Sequence, residues 1–509
     1  MRKILLTLAV LSTFALAAAG CGSEDEAASG ASELVPAGAI VYAEATLDPS
    51  GDQKQAIDSI LSKFPGGGQA GDKLEDLIEK GLRESDAPIS FKEDIEPWLG
   101  DEAAFFATTV GADSDPSGGA ALIATDDEDQ ALEALDKATE GKSKRHDYKD
   151  VEYLTGDRGQ AGAVFDGFLV LGSEPAVKAA IDTSKGGKKL SDDERYKKTL
   201  EDVSEDRLGL VYVNSPEFLK STQAMTSVPQ SFKRFFEKPF AATVDADDDG
   251  ITFEGKVPEE TAQTFGFVGQ GSDLLDELPG DSWVAMAQTD FGKLIDFYVD
   301  VFGGVAGGRD AIEQQFHAAT GLDLQKDVIA WMGDFGIFVR GSRVSELDGG
   351  LIIETTDETA SGHFVDALAR LARQQGADSG LQVAPLSAPG GGKGYTITSQ
   401  SIPKPVHFFQ RDGRVVLAYG DAAAQDAVDP GEKLGDSSDF TSVRDSLGDY
   451  EVSFYVLMQP IFDLIDSTGA ASDADWQDAK PYLEPLSALV AGTSGEGDDL
   501  KSAIKLIVK

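Results

Sequence analysis

Asp245-Ala246-Asp247-Asp248-Asp249-Gly250 sets acids at alternate positions ahead of a glycine. Carboxylates spaced in this way can converge on calcium, which takes several hard oxygen ligands. A calcium loop of that type also needs a bidentate acid at its twelfth position, where this chain has Lys256. The flanking residues read as strands, so a hairpin turn is expected and no metal site is assigned. Imidazole is the second candidate chemistry. His146, His317, His363 and His407 lie far apart and none has His-x-x-x-His spacing, so surface or structural roles are expected. No Gly-x-Ser-x-Gly elbow, Ser-x-x-Lys pair or phosphate-binding loop occurs. Gly266 to Gly271 (GFVGQG) is rich in glycine, but no strand and helix bracket it as a phosphate cradle requires. It reads as a linker, and Gly66-Gly67-Gly68 and Gly390-Gly391-Gly392 read as loops. Trp98 and Trp331 stand in matching contexts and are expected to fill structural corners. Ser231 to Phe240 (SFKRFFEKPF) is aromatic and locally basic, suited to a membrane or a partner. Phe232, Phe235 and Phe236 fit one helical face, which favours core packing. No catalytic residue and no cofactor is assigned.

The single thiol is Cys21, so no internal disulfide can form. Its position explains it. Met1-Arg2-Lys3 is a basic start, Ile4 to Ala17 is an apolar run, and Ala18-Ala19-Gly20 precede the cysteine. This is the plan of an export signal, and the run is too short for a comfortable membrane span. Small residues before a cysteine resemble the lipobox of bacterial lipoproteins, which implies diacylation of the thiol and cleavage before it. The usual Leu three positions before the cysteine is replaced by Ala18. Residues 1–20 are therefore expected to be a signal peptide. Residues 21–33 would be the lipidated Cys21 with a flexible acidic stalk (GSEDEAASGAS). Two acyl chains, at about 0.8 kcal/mol per buried methylene, anchor stably.

The charge balance excludes whole classes of partner. With 89 acidic and 44 basic residues among 509, the formal charge is −45. Such a field repels nucleic acid and anionic head groups. Hydrophobic residues make up 41%, enough for packed cores, and the length calls for more than one domain.

An internal repeat supplies the domain division. Trp98-Leu99-Gly100-Asp101 recurs as Trp331-Met332-Gly333-Asp334, an offset of 233. Pro36 to Thr46 (PAGAIVYAEAT) resembles Pro279 to Thr289 (PGDSWVAMAQT). Leu122 to Thr125 with Asp127-Glu128 matches Ile352 to Thr355 with Asp357-Glu358, and Asp166 to Leu171 parallels Asp412 to Leu417. Val211-Tyr212-Val213 before Pro216 parallels Tyr455-Val456-Leu457 before Pro460, and Pro239 and Pro485 each precede a last hairpin. The landmarks keep their order at offsets of 230 to 246. The chain is thus expected to hold a first repeat over 34–258, a linker over 259–276 and a second repeat over 277–509.

Within each repeat the periodicities mix. Strand Ala39 to Leu47 is followed by helices Asp52 to Phe64 and Asp72 to Ser85, whose apolar residues recur at i, i+3, i+4 spacing. Strands lead into and out of Asp166-Gly167, a tight-turn dipeptide. Helices are expected from Glu174-Pro175 to about Asp182, over Asp193 to Val203 and over Pro216 to Phe236. A closing hairpin runs from Ala241 to Val257. The fold class is α+β: two tandem repeats, each a curved, mostly antiparallel sheet with helices on one face.

The lipobox, the run L-V-P-A-G-A-I-V-Y-A-E-A-T-L-D-P, the Gly-Asp-Gln helix start and W-L-G-D-E-A-A-F-F resemble a family of bacterial, largely actinobacterial, envelope proteins, domain of unknown function 3352. The resemblance covers nearly the whole mature chain. It implies an extracytoplasmic location and carries no active-site residues to transfer. The chain is therefore expected to be a lipid-anchored protein on the outer face of the cell membrane, non-enzymatic, with a binding or scaffolding role. Its expected partners are the membrane, through the anchor, and an unidentified protein or lipid, but no nucleic acid. The alternatives are a carrier of an apolar ligand such as a lipid and, third, an unrecognised hydrolase, which needs a polar cleft with a perturbed acid or histidine.

Overall fold

The alternation of Val41-Tyr42-Ala43-Glu44-Ala45-Thr46 makes a strand, β1 (Val41–Thr46), and this strand organises the first half of the molecule. The computed structural model describes residues 30–84, 88–109, 118–139, 141–156, 159–201, 203, 206–221, 233, 236–256, 269–376, 380–386, 392–495 and 500–509. These fall into two units: the first holds the described residues up to Lys256 except Lys233, and the second holds Lys233 and the described residues from 269 to 509. The expected signal peptide, Cys21 and most of the stalk lie outside the described residues, as does most of the expected linker.

The first unit adds β2 (Leu99–Ala107), β3 (Gly119–Thr125), β4 (Lys144–Tyr148), β5 (Val151–Thr155), β6 (Gln160–Phe165), β7 (Phe168–Ser173), β8 (Gly209–Val213), β9 (Phe240–Asp247) and β10 (Gly250–Lys256). Their pairings give the order β4-β5-β6-β7-β3-β2-β1-β8-β9-β10, antiparallel throughout. The helices include α1 (Gly51–Ser62), α2 (Ala70–Glu84), α3 (Glu128–Ala138), α4 (Glu174–Ser184), α5 (Glu194–Thr199) and α6 (Ser215–Ser221). The helix expected over Pro216 to Phe236 is described only as α6; residues 222–232 lie outside the described residues.

The second unit contains β11 (Val284–Gln288), β12 (Met332–Arg340), β13 (Asp348–Thr355), β14 (Gln382–Pro385), β15 (Lys393–Ser399), β16 (Ile402–Arg411), β17 (Arg414–Tyr419), β18 (Glu451–Leu457), β19 (Leu486–Ser494) and β20 (Lys501–Val508). Its order is β14-β15-β16-β17-β13-β12-β11-β18-β19-β20, also antiparallel. Each strand number exceeds its counterpart in the first unit by ten. Its helices include α7 (Phe291–Ala306), α8 (Arg309–Thr320), α9 (Glu358–Gly376), α10 (Asp421–Asp426), α11 (Ser438–Asp445), α12 (Gln459–Asp466) and α13 (Ala474–Leu483).

The expectation of helices on a single face is corrected: in each unit they pack on both. In the first, α4 and α5 bring Val177, Ile181 and Tyr196 against Ala120, Leu122, Phe168 and Val170. On the reverse side α2 and α3 bring Leu82, Ala131 and Leu135 against Ile123, Leu169 and Leu171. Strands β3 and β7 are buried on both faces, which is why they read as continuous apolar runs, not alternations. In the second unit α10 and α11 cover one face through Ala423 and Phe440. Helices α7 and α9 cover the other through Phe291, Leu294 and Val365.

The hairpin turns follow their dipeptides. Asp166 and Gly167 take φ of 49° and 77°, and Asp412 and Gly413 take 51° and 76°. Two successive left-handed residues match the twist of a tight hairpin. Helix α1 is fastened by Gln53, which is buried and both donates to and accepts from the Ala246 backbone of β9, at 3.2 and 3.0 Å.

Candidate functional site

The repeated Trp-x-Gly-Asp motif is a corner in both units. Trp98 and Trp331 are 3% and 1% exposed. Each indole N–H donates to the carbonyl four residues back, Asp94 at 2.5 Å and Asp327 at 3.0 Å. Each motif ends at an irregularity in strand register, between Leu99 and Ala103 and between Met332 and Phe335. A side chain on Gly100 would strike Ala124, its Cβ lying 2.8 Å from that of Ala124. The tryptophans therefore hold core and not ligand.

The other residues singled out by sequence are not brought together. Asp247 accepts from the backbone N–H groups of Asp249 and Gly250, an ordinary turn between β9 and β10. Among the described residues no group of three or more His, Cys, Asp or Glu could hold a metal ion. His146 stacks on Tyr153 at 5.1 Å, and His317 meets the Leu322 carbonyl at 3.2 Å. His407 is buried between the Thr396 hydroxyl at 3.1 Å and Asp421 at 2.8 Å, joining β15 and β16 to α10. Gly266, Gly390, Gly391, Phe232 and Phe235 lie outside the described residues. Phe236 stacks on Phe218 at 6.4 Å.

Two buried polar networks escaped the sequence reading. In the second unit, Arg340 on β12 is 8% exposed and pairs with Asp348 at 2.6 Å, Asp426 at 2.7 Å and Asp281 at 3.2 Å. One guanidinium thus ties β12, β13, α10 and the approach to β11 together, a fork geometry that only arginine supplies.

The first unit has the more unusual set. Tyr42 and Glu44 lie two apart on β1 and so share a face. The Tyr42 hydroxyl donates to Glu44 at 2.5 Å, and Arg207 donates to the other Glu44 oxygen at 2.5 and 3.1 Å. Glu102 on the neighbouring β2 receives the backbone N–H of Ala31 on both oxygens, each at 3.1 Å. Burial pushes Glu102 up to about 7, with Glu44 and Asp101 adding to the effect and the Ala31 N–H and Arg207 opposing it. Burial likewise raises Asp245 to about 6, and it holds the Tyr42 phenol well above its usual value. A carboxyl that titrates near neutrality beside an ion-paired carboxylate is a store for one proton, poised in the physiological range.

Strand pairing identifies the corresponding places in the second unit. Tyr42 faces Phe106 and Tyr212 as Ala285 faces Phe338 and Tyr455; Glu44 faces Ala104 as Ala287 faces Gly336. Alanine occupies both positions there, so the polar set belongs to the first unit. The acid beside the bulge persists as Asp334, which accepts from the Ser272 hydroxyl at 2.6 Å. A clue was present in the sequence: Glu44 is the one charged residue of VYAEAT.

Glu102 yields a stability prediction. Its folded value lies above its ordinary 4.5, so its favourable contribution is complete below about pH 4.5 and is lost as pH rises through about 7. Glu102→Gln keeps an acceptor for Ala31 and removes the charge. The variant is expected to exceed the parent by about 2–3 kcal/mol near pH 8 and to match it near pH 4, read as the shift in urea midpoint. Equal midpoints at both ends of that range would exclude the proton store.

No curated protein matches the chain. Among solved structures, TP0453 in crystal forms I and IV is similar at 10% identity, with TM-scores of 0.25 and 0.23. Each covers 45% of this chain, against 77% and 83% of its own. Likeness this weak carries nothing about fold or role. The family model for "Protein of unknown function (DUF3352)" matches residues 3–503, nearly the full length, and the chain belongs to that family.

Proposed function

We propose that this is an extracytoplasmic lipoprotein, held to the membrane by acylated Cys21, whose body consists of two copies of one α+β unit and serves in binding or scaffolding. One observation carries the anchor: the only cysteine in 509 residues stands directly after a basic start, an apolar run and three small residues. Among the described residues no helix is long and apolar enough to cross a membrane. The described body begins at Gly30, nine residues beyond Cys21, so the connection spans at most about 30 Å.

The duplication is supported by the shared strand order and by matching contacts. Leu190 N–H bonds to the Val35 carbonyl at 2.8 Å as Leu434 N–H bonds to that of Leu278 at 2.7 Å. Tyr196 meets Tyr212 edge-on at 5.0 Å as Phe440 meets Tyr455 at 5.2 Å. A non-enzymatic role is favoured by the layers on each sheet, which are filled by side chains such as Tyr42, Phe106, Phe168, Phe338 and Phe440, each 1% exposed or less.

The test is the mass of the protein extracted from native membranes. The expected species begins at Cys21 and carries added acyl mass. A chain that begins elsewhere, or one with an unmodified thiol, defeats the anchor. Turnover of any substrate in a broad hydrolase panel defeats the non-enzymatic role.

A further inference from the structure

Ala31 to Glu33 form a single 3-10 turn at the point where the body meets the residues leading back to Cys21. Ala31, Leu34 and Val35 are buried in the core of the first unit. The turn presents the Ala31 N–H to Glu102, which takes it on both oxygens at 3.1 Å. The same carboxyl faces Tyr42 and Glu44 from β1, its neighbour Asp101 on β2, Arg207 from the segment before β8, and Tyr196 from α5. Arg207 is committed to Glu44. On the segment itself Glu33 is paired with Lys189 at 2.8 Å. Glu102 therefore sits between the docked segment and a second carboxylate, where its negative charge is disfavoured by burial and by Glu44.

We propose that Glu102 is a proton-operated catch on the segment joining the body to its membrane tether, closed when the carboxyl is neutral and loosened when it ionises. Undocking residues 30–35 takes away the Ala31 N–H, which favours the ionised carboxyl, but it also exposes Glu102 to water, and burial is the larger of the two effects, so the ionised form favours the open segment. Opening these six residues would lengthen the tether by about 20 Å. In the second unit the acid beside the bulge, Asp334, accepts a serine hydroxyl and one backbone N–H, from Asp290, in place of one N–H on both oxygens, so the catch belongs to the first unit alone. The tether's role in lifting the body rests on the lipoprotein reading; the catch itself does not.

Hydrogen exchange of the full mature chain tests it, followed in a peptide covering 30–40. After correction for intrinsic rates, protection of this peptide is expected to fall at least about tenfold between roughly pH 5 and pH 8.5. A β11 peptide should stay constant. In Glu102→Gln the fall should vanish. Should that variant not fold, Glu44→Gln removes the facing carboxylate and frees Arg207 for Glu102, and the fall should shrink. Protection of the parent that does not depend on pH overturns the catch, as does a fall that survives undiminished in either folded variant. The readout does not depend on acylation, so failure of the anchor shows separately in the protein's mass.

Discussion

Cys21→Ser is expected to move the protein from the membrane fraction to the soluble extracytoplasmic fraction, with the export signal either left uncut or cut at another bond. The magnitude follows from the proposed acyl chains. At about 0.8 kcal/mol for each buried methylene, two chains give attachment that is stable over the life of a cell, whereas a hydroxyl gives none. The protein offers little to replace them, since its charge of −45 opposes adsorption to anionic lipid. The fold should be unaffected, because the first unit's core is built from residues such as Tyr42, Phe106, Phe168 and Tyr212. Fractionation and blotting of cells carrying each form is the measurement. A variant that stays attached and is processed as before would remove the anchor from the account.

Trp331→Ala is expected to cost about 3–5 kcal/mol, the range for removing a large aromatic from a filled core. The indole packs in a cluster with Phe335, Ile353, Val365, Phe408 and Val415, and its ring lies 5.5 Å from that of Phe364. Its N–H bond to the Asp327 carbonyl is lost as well. Trp98→Ala should act on the first unit in the same way, because the two residues occupy matching corners. Denaturant unfolding with probes placed in each unit should show each variant lowering the midpoint of its own unit. A loss below about 1 kcal/mol in both would mean that these corners are not core.

Much of this architecture was legible. The Trp-x-Gly-Asp corners and the Asp-Gly turns were placed from sequence, because each answers a local backbone demand. Helix α1 was found from its apolar spacing and α4 from its Glu-Pro start, each to within two residues at each end. The hairpin of β4 and β5 was missed. Four of the five residues in β4 are exposed and charged or imidazole-bearing, and its turn residues Lys149 and Asp150 adopt φ of 52° and 61° without glycine. Nothing in KRHDYKD signals a strand pair; tertiary pairing overrides local preference there. Helices on both faces were missed because a continuous apolar run does not say how many layers cover it. Glu102 was missed for a different reason. Its environment is assembled from β1, the segment before β8 and the turn at Ala31, positions up to 176 residues apart, and spacing along the chain says nothing of that convergence.

Strands β4 and β14 end their sheets, and an unpaired margin of backbone invites addition of strands from other molecules. Here β4 carries Lys144, Arg145, His146 and Asp147, all exposed, and β14 ends in Pro385, which has no N–H to offer. A protein confined to a surface meets its own copies far more often than one dispersed in solution. On the proposed anchor, these two rims would oppose strand addition between neighbouring copies at β4 and β14.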